Sequence, residues 1–230
     1  MPKYFNPREE IHAHHGHLPH WRQEGTMYFI TSRLADSMPQ EKLREWHQQR
    51  ENWLQSHGIA DITQLDSLSE TERHEFHTVF TAKWHDWLDQ GRGECHLRLT
   101  HLRELLIQRL FATQEPSCEL DAWVIMPNHL HALVTPTGKT LGEVVRVWKG
   151  GSASDINKAL NRTGTLWQAE PYDHIVRSEA QTQHYRRYIA ENPIKAGLKE
   201  GEYACGLGKV VWASAQAFKA HIDQLNQQGR

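Results

Sequence analysis

The residues of this chain with the clearest chemical potential are His129 and His131. They open the second of two apolar runs, Ala122–Met126 and His129–Thr135, which are joined by the dipeptide Pro127-Asn128. Side chains alternate faces along a β-strand, so on a strand His129 and His131 point the same way while Leu130, Ala132 and Val134 point the other way, into a core. Two neighbouring imidazoles on one strand face form a bidentate platform for a divalent metal. The competing interpretation is two ordinary strand histidines in a chain that has 17 of them. A second chemical group lies downstream. Tyr188 and Asn192 are four residues apart, which places both on one face of a helix, and Tyr185 broadly shares that face. Here the competing interpretation is a packed tyrosine and an asparagine that caps the helix C-terminus.

The elements that must position these groups follow from local pattern. Residues 1–25 form an extended, polar lead-in. His12, His14, His15, His17 and His20 offer only adventitious chelation there, and Leu18 to Trp21 anchors the end of the segment. Residues 26–34 are rich in β-branched and aromatic side chains and predict a strand, closed by Asp36-Ser37-Met38-Pro39. Residues 41–55 predict a helix carrying Leu43, Trp46, Arg50, Trp53 and Leu54. A second helix is predicted from the capping box Ser69/Glu72, with an inward stripe of Phe76, Val79, Phe80, Trp84, Trp87 and Leu88 that is stopped by Gly91 and Gly93. A third spans 101–112, with Leu102, Leu105, Leu106 and Leu110 inward. Strands are predicted at 119–126 and 129–135, joined as a tight antiparallel hairpin. Thr140 and Glu143 cap a helix through Val144, Val145 and Trp148, which Gly150-Gly151 should weaken or kink. Residues 165–168 and 171–177 supply a broken fourth strand. Ser178 and Gln181 cap the last helix before Pro193, which is expected to end it at Asn192. Beyond Glu202 the chain reads as Gly-broken and then weakly helical. The order is β-α-β-β-α-β with an extra helical insertion near 41–95 and a C-terminal tail at 202–230. That order predicts an α+β fold, a ferredoxin-like antiparallel sheet with helices on one face, in a single domain.

Composition narrows the function. Net charge is −2, so no global basic field marks a nucleic-acid partner, although residues 139–199 carry ten Lys/Arg against six Asp/Glu. The three cysteines are far apart, which argues against a disulfide scaffold or a Cys-type zinc site and fits a reducing cytoplasm. No apolar run reaches the roughly 18 residues of a bilayer span, so no membrane association is expected.

Several motifs recur together and in order: Tyr28 to Thr31, Met126 to His131, Leu166 to Gln168, Tyr172 to Arg177, and Tyr188 to Leu198. This set resembles the REP-associated tyrosine transposases, relatives of the small insertion-sequence transposases that act on single-stranded DNA. Leu18 to Trp21 and Leu34 to Pro39 share the resemblance, which covers roughly residues 18–200. It implies that His129 and His131 are the His-hydrophobic-His metal ligands, that Asn192 is a third, amide-bearing ligand, and that Tyr188 is the nucleophile. It further implies a ferredoxin-like fold, a divalent cofactor, and a substrate of repetitive extragenic palindromes, which are DNA hairpins flanked by single-stranded guide sequence. A cation on that ligand set would neutralise charge at the phosphodiester. Tyrosine attack would leave a 5′-phosphotyrosine and a free 3′-OH, and the retained bond would let a second 3′-OH reverse the step. Imidazoles favour Mn²⁺ and oxygen donors favour Mg²⁺, so activity is expected with either ion. Arg146, Lys149, Arg177, Arg186, Arg187 and Lys195 are candidates for phosphate contact. Trp148 and Trp167 are candidates for base stacking, with the core as their default place. The insertion-sequence relatives act as dimers, and the REP-associated branch is expected to be able to act as a monomer, so both states stay open. Two other activities compete: a DNA-binding protein that kept the fold without the chemistry, and a metal-dependent hydrolase using water.

Overall fold

Four apolar segments of the chain assemble into the centre of one sheet. In the computed structural model, which describes residues 3–10, 12–15, 19–37, 40–60, 64, 67–76, 79–80 and 93–228, strands β1 (His12–His15) and β2 (Pro19–Arg22) pair with each other as a separate antiparallel ribbon. The lead-in is therefore paired rather than simply extended. β3 (Tyr28–Arg33) follows, then α1 (Gln40–Ser56), α2 (Glu70–Phe76) and, after a short 3₁₀ turn at His96–Arg98, α3 (Thr100–Ala112). The hairpin is β4 (Cys118–Met126) and β5 (His129–Pro136). The chain then forms α4 (Leu141–Ala159), β6 (Tyr172–Ile175), α5 (Glu179–Lys195), β7 (Ala204–Leu207), β8 (Val210–Trp212) and α6 (Ala215–Gln228). No helix among the described residues is long and apolar enough to cross a membrane.

The six-stranded sheet runs β6-β3-β5-β4-β7-β8, with every neighbouring pair antiparallel. Its first four strands carry the predicted β-α-β-β-α-β arrangement. The crossover helices α3 and α4 cover one face, where Tyr28, Ile30, Trp123, Ile125, Leu130 and Val134 meet Leu102, Leu106, Val144 and Trp148. The C-terminal helices α5 and α6 cover the opposite face, where Phe29, Val124 and Leu133 meet Ile189, Phe218 and Ile222. A strand covered on both sides is buried along its whole length, as β5 is. Trp148 and Trp167 are core residues. Their indole N–H groups donate to Thr113 Oγ1 at 2.6 Å and to Ser152 Oγ at 3.0 Å.

Several local expectations are revised by tertiary contacts. α4 runs unbroken through Gly150-Gly151. A Cβ at Gly151 would sit 2.9 Å from the Arg109 side chain, so the glycine admits the arginine that pairs with Asp155 at 2.8 Å. α5 does not stop at Asn192; it carries Pro193 inside it to Lys195. Its end is a Schellman closure, with Gly197 N–H donating to Ile194 O and Leu198 N–H to Pro193 O, both at 3.0 Å, across Gly197 at φ +64°. The Ser178 cap is present, but Gln181 Oε1 accepts from Arg177 N–H at 2.8 Å rather than from the cap residue. The tail contributes β7 and β8, which extend the sheet beyond β4.

The insertion forms its own apolar cluster of Trp46, Leu54, Ile59, Leu68, Phe76 and Phe80. Val79, expected inward, is 40% exposed. Trp84, Trp87, Leu88, Gly91, His17, Leu18, Met38, Pro39 and the side chain of Leu43 lie outside the described residues.

Gly206 of β7 lies against Trp123. An added Cβ would fall 2.4 Å from Trp123 Cζ2 and 2.5 Å from Val210 O, and Trp123 is fully buried. Neither the indole nor the strand backbone can yield, so Gly206→Ala should lower the unfolding free energy by about 2–3 kcal/mol, read from urea denaturation.

Candidate active site

Strand register builds the site. β3 pairs with β5 so that Thr31 lies opposite His131 and Arg33 opposite His129. His129 and His131 are 1% and 0% exposed and stand on the α5 face of the sheet, with ring centroids 4.6 Å apart. Each ring is held through Nδ1: His131 by Thr31 Oγ1 at 2.8 Å, and His129 by Asn128 Oδ1 at 2.7 Å. An amide oxygen only accepts, so Asn128 fixes the His129 proton on Nδ1 and leaves Nε2 with its lone pair. Thr31 Oγ1, a hydroxyl able to donate or accept, gives His131 the same tautomer when it accepts from Nδ1. Two imidazoles presenting Nε2 lone pairs are ready ligands oriented by a second layer of partners.

α5 supplies the other groups. The Tyr188 ring meets His131 edge-on at 5.2 Å and Phe29 at 5.8 Å. Tyr185 stacks flat on Phe29 at 4.3 Å, and Phe29 in turn stacks on His131 at 5.4 Å. Burial pushes the Tyr185 phenol well above the ordinary tyrosine range, and it pushes Tyr172 of β6 up to about 12, with the Asp173 charge adding to the rise and Arg33 opposing it. Asn192, one turn beyond Tyr188, is 2% exposed, and its Oδ1 is buried with no hydrogen-bond partner. An orphaned amide oxygen in a buried site is costly unless a ligand satisfies it. Asn192 is therefore not a helix cap but a polar group inside the packed face.

Two imidazole nitrogens and one amide oxygen suit a divalent cation of borderline softness. The set is uncharged. Among the described residues no group of three or more His, Cys, Asp or Glu stands together that could hold a metal.

The family described as "Transposase IS200 like" matches residues 71–192, just over half of the sequence, a span that holds both histidines, Tyr188 and Asn192. The chain belongs to the IS200-like transposase family. Among curated relatives, it is 30% identical to an uncharacterised protein of Haemophilus influenzae over 34% of this chain and 56% of the relative. It is 29% identical to the REP-associated tyrosine transposase of Escherichia coli K12 over 34% of this chain and 46% of the relative. The matches thus span about half the length of these relatives. Among solved structures, it is similar to a REP-associated tyrosine transposase bound to a REP hairpin, with 19% identity and a TM-score of 0.41 over 78% of this chain and 73% of that one.

The six basic residues singled out in the sequence are scattered in this IS200-like chain. Arg146 and Lys149 lie on α4, across the sheet from the histidines, and Lys149 Nζ donates to the carbonyls of Gln168 and Ala169, both at 2.7 Å. Arg177 is exposed, with its guanidinium 5.5 Å from both the Phe5 and Trp21 rings. Arg187 pairs with Asp223 at 3.4 Å, and Lys195 pairs with Glu191 at 2.9 Å. Arg186 makes a bidentate pair with Asp121, at 2.9 and 2.6 Å, where a register irregularity between Leu120 and Trp123 interrupts β4. That pair raises the Arg186 pKa further. Arg186→Gln would leave the Asp121 carboxylate, whose side chain is 18% exposed, without its main counter-ion. It should lower stability by about 2 kcal/mol, seen in denaturant melts, with a smaller effect on DNA affinity. Sequence reasoning missed Thr31, Asn128 and Phe29 as supports of the site. Asn128 reads as a turn residue, and Thr31 becomes visible only through the strand register.

Proposed function

We propose that this chain is a tyrosine transposase that cleaves and rejoins single-stranded DNA at hairpins of repetitive extragenic palindromes, through a 5′-phosphotyrosine intermediate. The observation that carries this reading is the placement of Tyr188 edge-on to His131, with the unsatisfied amide oxygen of Asn192 one turn away on the same helix. Family membership and the REP-associated relative supply the substrate class.

In this reading the Tyr188 phenol oxygen attacks phosphorus, the bond to the 3′ oxygen breaks, and that oxygen leaves as a 3′-OH while the phenol proton departs. The new phosphotyrosine retains the bond energy, so a second DNA 3′-OH can attack it, restoring the phosphodiester and the phenol. His129, His131 and Asn192 would hold a divalent cation, Mg²⁺ or Mn²⁺, which when bound neutralises charge at the phosphate. Thr31 and Asn128 keep both imidazoles in the ligating tautomer, and Phe29 wedges the rings of Tyr185 and His131 apart. Cover from α5 shields the histidines from bulk water, which favours transfer to DNA over hydrolysis.

The test uses 3′-labelled single-stranded hairpins taken from repeats flanking the gene, incubated with the protein and Mn²⁺ and run on a denaturing gel. A protein-linked, protease-sensitive labelled band is the expected result. Binding without cleavage, or cleavage without a covalent band, would overturn the reading.

A further inference from the structure

We propose that Arg33 grips the non-bridging oxygens of the scissile phosphate as they gain charge during attack, a role that rests on the transesterification reading above. The argument begins with strand parity. Phe29, Thr31 and Arg33 alternate with the core residues Tyr28 and Ile30, so all three share the face that carries the histidines. Phe29 and Thr31 both touch His131. Arg33, at the end of the same row, is the direct cross-strand neighbour of His129, a relation that sets side-chain roots about 5 Å apart. It is 3% exposed, so its charge acts in a medium that screens it far less than water does. The charge is felt by the buried phenol of Tyr172, the residue opposite Thr31 on the other flank of β3.

The chemistry of the site calls for such a group. Its metal-ligating residues are two neutral imidazoles and a neutral amide, while the phosphodiester is anionic and gains negative charge during attack. Other basic side chains of α5 are engaged by acids: Arg186 by Asp121, Arg187 by Asp223, and Lys195 by Glu191. Arg33 has contacts of its own within the protein. A guanidinium has five N–H donors, however, and can keep such contacts while offering a planar pair to two phosphate oxygens. Nothing in the local sequence marks this residue, because an arginine ending a strand reads as a solvent-facing edge charge.

The experiment measures single-turnover formation of the covalent adduct with Arg33→Gln and Arg33→Lys. It uses hairpins bearing either a normal scissile phosphate or each methylphosphonate diastereomer, in which one charged oxygen is replaced by methyl. R33Q should slow adduct formation about 100-fold and R33K about tenfold, with hairpin affinity within about threefold of wild type. For one diastereomer, the methylphosphonate penalty seen with wild type should largely vanish in R33Q, because the contact is already gone. A merely structural role would leave that penalty intact. R33Q within about threefold of wild type, or slow with the full penalty, overturns the proposal. If R33Q fails to fold by circular dichroism, R33K decides by the same comparison, a full penalty being the overturning result. Wild type without any adduct overturns the transesterification reading itself, whereas a wild-type adduct with unimpaired variants overturns only the role of Arg33.

Discussion

Tyr188→Phe should reduce protein-linked DNA by a factor of about 10³ or more while leaving hairpin affinity within about threefold of wild type. The substitution removes one oxygen and keeps the ring that contacts His131 and Phe29, so packing on the sheet is preserved. Tyr185→Phe is the matched control. Its ring is stacked on Phe29 at 4.3 Å, and burial raises its phenol further from ionisation, which makes it a poor nucleophile. A phenol that ionises near pH 10 in water is already weakly nucleophilic at neutral pH, and added desolvation weakens it again. Tyr185→Phe should therefore retain most adduct formation. The measurement is a time course of the protease-sensitive band for the three proteins. Loss of the band in Tyr185→Phe with retention in Tyr188→Phe would reverse the assignment. Strand cleavage by Tyr188→Phe would indicate water as the nucleophile.

The hairpin that carries the histidines was legible because local and tertiary preferences coincide there. Two apolar runs separated by Pro127-Asn128 allow only a tight antiparallel turn, and β4 and β5 differ from the predicted ranges by one residue at an end. The capping boxes at Ser69 and Thr140 were legible for the same reason, since the reciprocal hydrogen bonds are made within four residues. Where contacts from distant segments decide, the local signal misleads. Pro193 lacks the N–H that would bond Ile189, yet it is buried, and the Schellman closure at Gly197 satisfies the carbonyls of Pro193 and Ile194. β7 and β8 have four and three residues, too few to show a period, and Gly206 looks like a breaker until Trp123 is placed against it. Charge was the least legible property. The sequence displays Arg186 as a surface cation, but its partner Asp121 lies 65 residues away. Arg33 was hidden in the opposite sense, a buried charge on the histidine face of a short strand.

His131→Ala should abolish both metal binding and adduct formation, the latter by about 10³-fold, and the more informative companion is Thr31→Val. Valine keeps the branched shape and the burial of a residue that is 1% exposed, but it cannot accept the His131 Nδ1 proton. The imidazole then loses the partner that fixes its tautomer and ring orientation, a change expected to weaken divalent-metal affinity about 10–100-fold without removing a ligand. Mn²⁺ titration followed by electron paramagnetic resonance measures this directly, with no DNA present. Unchanged affinity in His131→Ala would remove His131 from the ligand set. Unchanged affinity in Thr31→Val with a deficit in His131→Ala would show that packing against Phe29 alone orients the ring. The neutrality of the proposed donor set carries a further consequence. With no carboxylate among its three groups, the site offers a dication little electrostatic attraction, and the anionic phosphodiester would provide what is missing. Mn²⁺ affinity of the wild type should therefore rise about tenfold or more when hairpin DNA is bound, and by linkage Mn²⁺ should tighten the hairpin equally. Asn192→Asp places a carboxylate in the set. It should strengthen metal binding in the absence of DNA and reduce that coupling, because the charge the DNA supplies would already be present.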